Sequence, residues 1–180
     1  MNYAIVLYMD DQNTKMAEQM TRELAAACGS DYCMNTVPHI SIASLVAEDE
    51  KAVKAEATKL SKLLKRGKVQ IASIGVFNPV VLFLAPIVNS YLMESCRIAN
   101  EQMLRVCEIG NQGRYLPDSW VPHIAVAMKM EKAGLYRGFS KLSELFWPFD
   151  AEIDRMALIR YERENPYQEL AVYDLELAEE

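Results

Sequence analysis

A seven-residue sequence occurs twice in this chain of 180 residues and links its two halves. Residues 37–43 read VPHISIA, and residues 121–127, 84 positions further along, read VPHIAVA. The two copies contain both histidines of the chain, His39 and His123. Each copy also precedes a segment with a helical pattern. We interpret the repeat as two lobes related by an approximate two-fold axis, with the two imidazoles as symmetry partners.

Both copies have the alternating pattern of a β-strand. In the first copy, alternation puts His39, Ser41 and Ala43 on one face and Ile40 and Ile42 on the other, and the second copy repeats this arrangement. The apolar face is suited to packing under helices, whereas the other face carries an imidazole followed by small residues at intervals of about 6–7 Å. Two histidines in the same repeated context favour a functional pair over two unrelated structural residues. We expect the two histidine faces to form the floor of a cleft.

The rest of the chain is predicted to alternate between strands and helices. Two pairs of neighbouring strands are expected to form hairpins, with turns at Asn78-Pro79 and Asn165-Pro166, and hairpins favour antiparallel sheets. We therefore predict one bilobed α+β domain over 1–180, with two antiparallel sheets, flanking helices and a central cleft. The predicted helices span 11–27, 48–65, 90–109 and 132–145, and the predicted strands span 3–9, 37–45, 69–77, 80–85, 120–130, 153–161 and 169–177.

Composition argues against several classes of protein. The chain has 19 Lys and Arg against 25 Asp and Glu, and its net charge of −6 opposes the broad basic surface of a protein that binds duplex DNA. The longest apolar stretch, 80–88, is roughly half as long as a membrane-spanning helix. The first residues show neither a basic leader nor the cleavage pattern of a secretory signal. We therefore expect a cytoplasmic protein without a membrane segment.

The four cysteines do not favour a disulfide framework or a metal site. Cys28, Cys33, Cys96 and Cys107 lie in apolar or helical segments of a chain long enough to be stable without cross-links. Structural metal sites use Cys or His pairs at close spacing, and Cys28 with Cys33 supplies half of a poor one. We expect free thiols, no metal and no cofactor.

The repeated motif resembles the signature of a known superfamily. Pro-His-x-Ser followed by a second Pro-His-x-x is similar to the repeated His-x-Thr/Ser-x of the two-histidine phosphoesterases, which include 2′-5′ RNA ligase-like proteins and cyclic phosphodiesterases. The resemblance extends over nearly the whole chain. Residues 3–9 resemble the family's first strand, and 73–77 with 81–84 resemble its central hairpin. Residues 120–123 resemble the entry to its second motif, and 158–161 with 167–172 resemble its last hairpin.

The resemblance implies a bilobed fold in which the motif side chains converge on a phosphate without a metal. His39 and His123 would act as general acid and general base, and a pKa near ~6.5 suits both roles. The pseudo-symmetry leaves open which of the two is the base. Ser41 would hold a non-bridging phosphate oxygen. Ala125 stands where the signature has a second hydroxyl, and the loss of one such donor typically costs ~3 kcal/mol of transition-state stabilisation.

Four further residues are candidates for contacts with a substrate. If the last hairpin borders the cleft, as the resemblance implies, Arg160 or Tyr161 would compensate for the missing hydroxyl by holding the phosphate. The alternative for Arg160 is a surface ion pair. Phe77 and Trp120 are candidates for stacking on a base near the mouth of the cleft, and the alternative for both is ordinary core packing.

Three functions remain open on the sequence alone. The first is a phosphoesterase that acts on a 2′,3′-cyclic phosphate or a related phosphodiester of an RNA end or a nucleotide. The second is a non-catalytic module that binds a nucleotide or phosphate, which Ala125 favours. The third, a structural or partner-binding domain, predicts no nucleotide binding. RNA ligation is not assigned, because the reaction is reversible and the sequence does not fix its direction.

Overall fold

The computed structural model describes residues 1–77, 81–162 and 167–178. Strands and helices alternate within these ranges, which confirms the predicted α+β class. The predicted turns at Asn78-Pro79 and Asn165-Pro166 lie outside the described residues. The strands are β1 (Asn2–Met9), β2 (His39–Val46), β3 (Gly67–Phe77), β4 (Val81–Pro86), β5 (Glu108–Ile109), β6 (Ile124–Met128), β7 (Phe149–Tyr161) and β8 (Gln168–Asp174). The helices are α1 (Asp11–Cys28), α2 (Glu50–Leu63), α3 (Ser90–Met103) and α4 (Lys132–Leu145).

The third helix and the second motif strand fall furthest short of their predicted lengths, for local reasons. The predicted third helix, 90–109, ends at Met103, because Glu108 and Ile109 pair with the edge of β2 instead of continuing the helix. The predicted strand 120–130 is reduced to 124–128. Pro122 has no backbone N–H to donate to a neighbouring strand, so the ladder begins only after the second histidine.

Helix α1 begins with a side-chain cap that also joins it to the sheet. The Asp10 carboxylate accepts hydrogen bonds from the backbone N–H of Asn13 at 3.0 Å and from that of Glu152, beside β1, at 3.1 Å. At its other end α1 stops at Gly29, whose φ of 69° lies in the left-handed region that glycine adopts without strain. Asp10 and Gly29 therefore determine where this helix begins and ends.

We expect Asp10→Ala to lower the free energy of unfolding by about 1–2 kcal/mol. Burial opposes ionisation of Asp10, but the hydrogen bonds from Asn13 and Glu152 outweigh it and lower the pKa of the carboxyl. A lowered pKa in the folded state stabilises the protein above the unfolded pKa of about 4, and this stabilisation is lost as the pH falls. Urea titrations at pH 7 and pH 3 measure both effects, and the difference between variant and wild type should shrink at pH 3.

Asp31→Ala is the matched control for this prediction. Asp31 precedes a short 3₁₀ turn and makes no cap hydrogen bond through its side chain. Its removal should change the free energy of unfolding by less than about 0.5 kcal/mol. An equal loss in both variants would contradict the role assigned to Asp10.

All the described strands join in one sheet rather than the two separate sheets predicted. The order is β1-β2-β6-β4-β3-β7-β8, with β5 on β2 and an additional pairing between β1 and β7. The sheet is continuous because β7 has 13 residues, and its first part pairs with β3 while its second part pairs with β1. The pairing of β1 with β7 closes the first six strands of this order into a ring. On the opposite side of this ring from β7, β2 and β6 meet at a single residue pair, Ile40 and Ile124. These residues directly follow the two histidines.

The first and second halves of the chain correspond element by element. The series β1, α1, β2, α2 matches the series β4, α3, β6, α4 in the same order. Helices α2 and α3 pack together and α3 covers β2, whereas α1 and α4 pack together and α1 covers β6. Each motif strand is thus covered by the helix that precedes the other motif. This exchange gives two lobes with pseudo-two-fold symmetry, as predicted.

Most of the core lies between the sheet and the helices. It is built from the apolar face of the strands, including Leu7, Ile40 and Leu84, all fully buried. A smaller cluster that includes Val6 and Tyr8 lies on the opposite face of β1 and β7. None of the helices within the described ranges has the length and apolar character needed to cross a membrane.

Candidate active site

A cleft of about 760 Å³ lies between the lobes, and both copies of the repeat line it. The lining residues of each copy and of the position directly after it correspond in order: His39, Ser41 and Ser44 in the first, and His123, Ala125 and Met128 in the second. The histidines are therefore equivalent in position. The other two positions are not equivalent in chemistry, since two hydroxyls on one side face a methyl and a thioether on the other.

A β-bulge in each motif strand sets this spacing. Ile42 has no partner in β1 and Val126 has none in β4, because consecutive residues of the neighbouring strand pair with the residues on either side of them. An extra residue reverses the alternation that follows it. The prediction that Ala43 and Ala127 line the cleft is therefore wrong, and both are buried in the core under the helices.

Both imidazoles are held by the same local hydrogen bond. Nδ1 of His39 lies 2.7 Å from the carbonyl oxygen of Val37, and Nδ1 of His123 lies 2.8 Å from that of Val121. A carbonyl oxygen can only accept, so Nδ1 carries the proton and donates it. In the neutral form of each ring, Nε2 is then left free to accept a proton.

The surroundings of both imidazoles favour their neutral forms. Burial lowers the pKa of His39, and the nearby His123 lowers it further, against the opposing effect of the Val37 carbonyl. Burial also lowers the pKa of His123. Two interacting sites of this kind titrate as a pair. Between the two titration steps, one ring is neutral and the other is an imidazolium.

His39 lies against a network of tyrosines. Its ring is stacked on that of Tyr167, with the ring centres 5.7 Å apart, and contacts the edge of Tyr8. The Tyr8 hydroxyl is hydrogen-bonded to the Tyr167 hydroxyl and donates to Oε2 of Glu169 at 2.8 Å. Burial raises the pKa of Tyr167 to about 12 and also raises that of Tyr8. Both phenols are therefore neutral near pH 7. The hydrogen bond with Tyr8 holds the Tyr167 ring in its position against His39.

His123 has a more apolar environment. Its ring meets Phe77 nearly edge-on at 4.8 Å between centres, with Phe83 at 5.5 Å and Tyr115 at 6.4 Å. Phe77 is stacked on Phe83 and also lines the cleft. The two histidines thus make the same kind of backbone hydrogen bond, but their side-chain neighbours differ.

The hydroxyls of Ser41 and Ser44 differ in their hydrogen bonding. Ser44 Oγ lies 2.9 Å from the Tyr161 hydroxyl, which also lines the cleft. Among the described residues, the Ser41 hydroxyl makes no hydrogen bond, although the Ser41 carbonyl oxygen accepts one from Nε1 of Trp120 at 2.9 Å. The backbone of Ser41 is therefore fixed while its hydroxyl is available to a ligand.

Comparisons with known proteins agree with this arrangement. The sequence profile of the 2′-5′ RNA ligase superfamily matches residues 14–165. The chain belongs to this superfamily. No curated protein matches it in sequence.

Solved structures show that the fold is shared at low sequence identity. A phosphoesterase is similar with a TM-score of 0.65 and 14% identity, covering 97% of this chain and 98% of that one. Escherichia coli LigT in complex with NADP+ has a TM-score of 0.62 and 13% identity, with 97% of each chain covered. Usb1 of Kluyveromyces marxianus has a TM-score of 0.52 and 11% identity, with 98% of each chain covered. At these identities the likeness concerns the fold alone.

Two residues proposed from the sequence lie elsewhere in this superfamily member. Arg160 does not line the cleft; it forms an ion pair with Glu50, with 2.7 Å between Nη1 and Oε2, and also donates to Gln168. Its neighbour Tyr161 does line the cleft, because successive residues of a strand face opposite sides. Trp120 is 7% exposed and packs in the core, so its ring is not offered to a base. The structure thus supports the alternative interpretation of each residue: an ion pair for Arg160 and core packing for Trp120.

The sequence did not indicate several residues that line the cleft of this RNA ligase-like chain. The bulges concealed Ser44 and Met128, and Tyr167 was placed only within the last hairpin, with no indication that its ring stacks on His39. Arg114, Tyr115 and Ser119 belong to a loop between α3 and the second motif. Among the described lining residues, Arg114 alone carries a formal charge at neutral pH.

No cluster of three His, Cys, Asp or Glu side chains suitable for a metal occurs in the described parts of the chain. The four cysteines are free thiols, and three of them are buried. Burial raises the pKa of the Cys33 thiol to about 12 and that of Cys96 to about 11. These thiols are protonated near neutral pH, the form that suits apolar packing rather than metal binding.

Proposed function

We propose that this chain is a phosphoesterase that acts on a 2′,3′-cyclic phosphate, or a related phosphodiester of an RNA end or a nucleotide, by two-histidine acid–base catalysis. The observation that carries the proposal is the matched pair of imidazoles. His39 and His123 come from equivalent positions, each donates Nδ1–H to the carbonyl two residues earlier, and each leaves Nε2 for proton transfer. One cleft contains both.

Hydrolysis of a cyclic phosphate needs one proton removed and one supplied. A neutral imidazole takes a proton from water at Nε2 as the water oxygen bonds to phosphorus. The bond from phosphorus to one ribose oxygen breaks, and the imidazolium protonates that oxygen as it leaves. The product is a phosphomonoester beside a free hydroxyl. Both proton transfers come from the histidines, so the proposal includes no metal and no cofactor.

Other cleft residues have suitable chemistry for the remaining contacts. The Ser41 hydroxyl, without a partner among the described residues, would donate to a non-bridging phosphate oxygen, and Tyr161 would extend this side of the cleft. Phe77 offers an aromatic ring for a base beside His123. Solved complexes of Escherichia coli LigT with 3′-AMP, ATP and NADP+ are consistent with a nucleotide ligand for the shared fold.

The second candidate is a module that binds a nucleotide or phosphate without turnover. Ala125 favours it, because this position lines the cleft opposite Ser41 and supplies no donor to a developing negative charge. The imidazoles and Ser41 would still form a polar site for an anion. The two candidates differ in turnover, not in binding.

Turnover of the four 2′,3′-cyclic nucleotides by purified protein in the presence of a chelator tests the proposal. Calorimetric titration with 3′-AMP runs in parallel. Product formation supports the phosphoesterase, and saturable binding without product supports the binding module. If the protein forms no product and binds no nucleotide, both candidates are contradicted.

We expect the pH optimum of kcat/KM to lie below about pH 6.5. Burial, and for His39 also the neighbouring His123, lowers the pKa of both imidazoles below the ordinary value of the free side chain. One ring must be neutral and the other charged, so activity is greatest between the two lowered titration steps and falls on either side. A pH–rate profile at low substrate concentration measures this, and an optimum above pH 7 would be incompatible with the burial effect.

A further inference from the structure

The loop 110–119, which connects β5 to the second motif, is fastened at both ends to the first motif strand. At its start, Gly110 N–H donates to the carbonyl oxygen of Ser44 at 2.8 Å. Just after its end, Nε1 of Trp120 donates to the carbonyl oxygen of Ser41 at 2.9 Å. The loop thus belongs to the second half of the chain but is held by backbone groups of the first motif. It forms a fixed wall of the cleft.

The backbone at the start of this loop is tightly determined. A Cβ at Gly110 would lie 2.7 Å from both Ser44 Oγ and Leu45 N, so only glycine fits against β2. The next residues, Asn111 and Gln112, have φ values of 47° and 57°, which side-chain-bearing residues seldom adopt. The surrounding contacts therefore impose a sharp turn, and this turn directs the following residues into the cleft.

Arg114 is the residue that this turn presents to the cleft. It is exposed, it lines the cleft, and its guanidinium has no ion-pair or hydrogen-bond partner among the described residues. By contrast, Arg97, Arg155 and Arg160 each pair with a carboxylate. No carboxylate lines the cleft within the described ranges, although the chain as a whole has a net charge of −6.

The neighbour of Arg114 connects it to the catalytic candidates. The Tyr115 ring is 6.4 Å from that of His123, and the Tyr115 carbonyl oxygen accepts from the buried amide of Asn100 at 3.0 Å. Burial raises the pKa of Tyr115 and Tyr161 raises it further, whereas the positive charge of the adjacent Arg114 lowers it. Arg114 therefore extends from a rigid segment that lies between His123 and the hydroxyls of the first motif.

We propose that Arg114 binds the phosphate of the ligand and supplies the anion contact that Ala125 cannot make. A guanidinium presents a planar pair of N–H donors to two phosphate oxygens, which a single serine hydroxyl does not. The ligand class is a nucleotide with a phosphodiester or phosphomonoester on its ribose. This inference rests on the proposed function for its choice of ligand, but its test measures binding and does not require turnover.

The test is a comparison of Arg114→Gln and Arg114→Lys by calorimetric titration with 3′-AMP and with adenosine. The glutamine variant should weaken 3′-AMP binding about 10- to 100-fold and leave adenosine binding unchanged, because only the phosphate contact is removed. The lysine variant should retain part of the affinity, since it keeps the charge but loses the two-pronged geometry. The wild-type preference for 3′-AMP should also diminish with added salt.

Arg105→Gln is the matched control. Arg105 is exposed, makes no ion pair among the described residues and does not line the cleft, so its replacement changes the net charge equally. It should bind 3′-AMP as wild type does. Equal weakening in both variants would reduce the effect of Arg114 to overall charge and overturn the inference.

The remaining outcomes separate this inference from the proposed function. Turnover of cyclic nucleotides with unchanged 3′-AMP affinity in Arg114→Gln would overturn the inference and leave the phosphoesterase standing. Weakened affinity in Arg114→Gln, with no turnover by wild type, would support the inference and leave the chain a binding module. Failure of wild type to bind 3′-AMP at millimolar concentration would overturn the inference.

Discussion

Replacement of either His39 or His123 by glutamine is expected to lower kcat for a 2′,3′-cyclic nucleotide by about 10²- to 10⁴-fold. Glutamine approximates the size of the imidazole and retains a hydrogen-bond donor for the Val37 or Val121 carbonyl, but it cannot exchange a proton near neutral pH. Both variants should fail to a similar degree, because hydrolysis needs a base and an acid in the same cycle. Steady-state rates at saturating substrate measure the loss.

The double variant gives the sharper result. If the two imidazoles act as one proton-transfer pair, His39→Gln combined with His123→Gln should be hardly slower than either single variant. Multiplication of the two losses would indicate independent contributions and contradict the paired mechanism. Because the chain has no third histidine, the control is the retention of adenosine binding and of the urea midpoint in all three variants.

The repeat was sufficient to predict where the histidines lie, because the information is local. A two-residue period determines the face of a strand, so His39 and Ser41 are assigned correctly as long as the strand is regular. Beyond Ile42 the period fails at a bulge, which nothing in the sequence marks, since no glycine stands there. Ser44 is therefore found only in the structure.

The charged residue of the cleft illustrates a second limit. Arg160 is a candidate on the sequence because the resemblance implies that the last hairpin borders the cleft, but in the structure it pairs with Glu50 on the other face of that strand. Arg114 lies in a loop without periodicity, and its position depends on contacts with β2, which is about 70 residues away in sequence. Contacts of this kind are a property of the folded chain rather than of any segment.

Ala125→Ser is expected to raise kcat/KM about 10-fold, and Ser41→Ala to lower it by about 10²-fold or more. Both positions line the cleft at equivalent places in the two motifs, so the first change adds the hydroxyl that the second removes. The expected gain is smaller than the expected loss, because Arg114 is proposed to hold the phosphate on the side that lacks the hydroxyl. Initial rates at low substrate concentration measure both values.

Ala127→Ser is the matched control for the added hydroxyl. Ala127 lies two residues further along the same strand but is buried in the core at 2% exposure, because the bulge turns it away from the cleft. Serine there should lower the free energy of unfolding by about 1–3 kcal/mol and leave kcat/KM unchanged. A gain in activity from this variant would mean that the added hydroxyl acts through something other than the phosphate.

The same substitution in an Arg114→Gln background decides whether the arginine replaces the missing hydroxyl. If the two groups serve one anion, Ala125→Ser should give about a 10-fold gain with Arg114 present and about a 10²-fold gain in its absence. Equal gains in both backgrounds would mean that Arg114 and residue 125 contact different parts of the ligand. In that case Arg114 would still contribute to the affinity for the ligand, but it would not replace the hydroxyl that Ala125 lacks, and the groups around Ser41 would have to hold the phosphate alone.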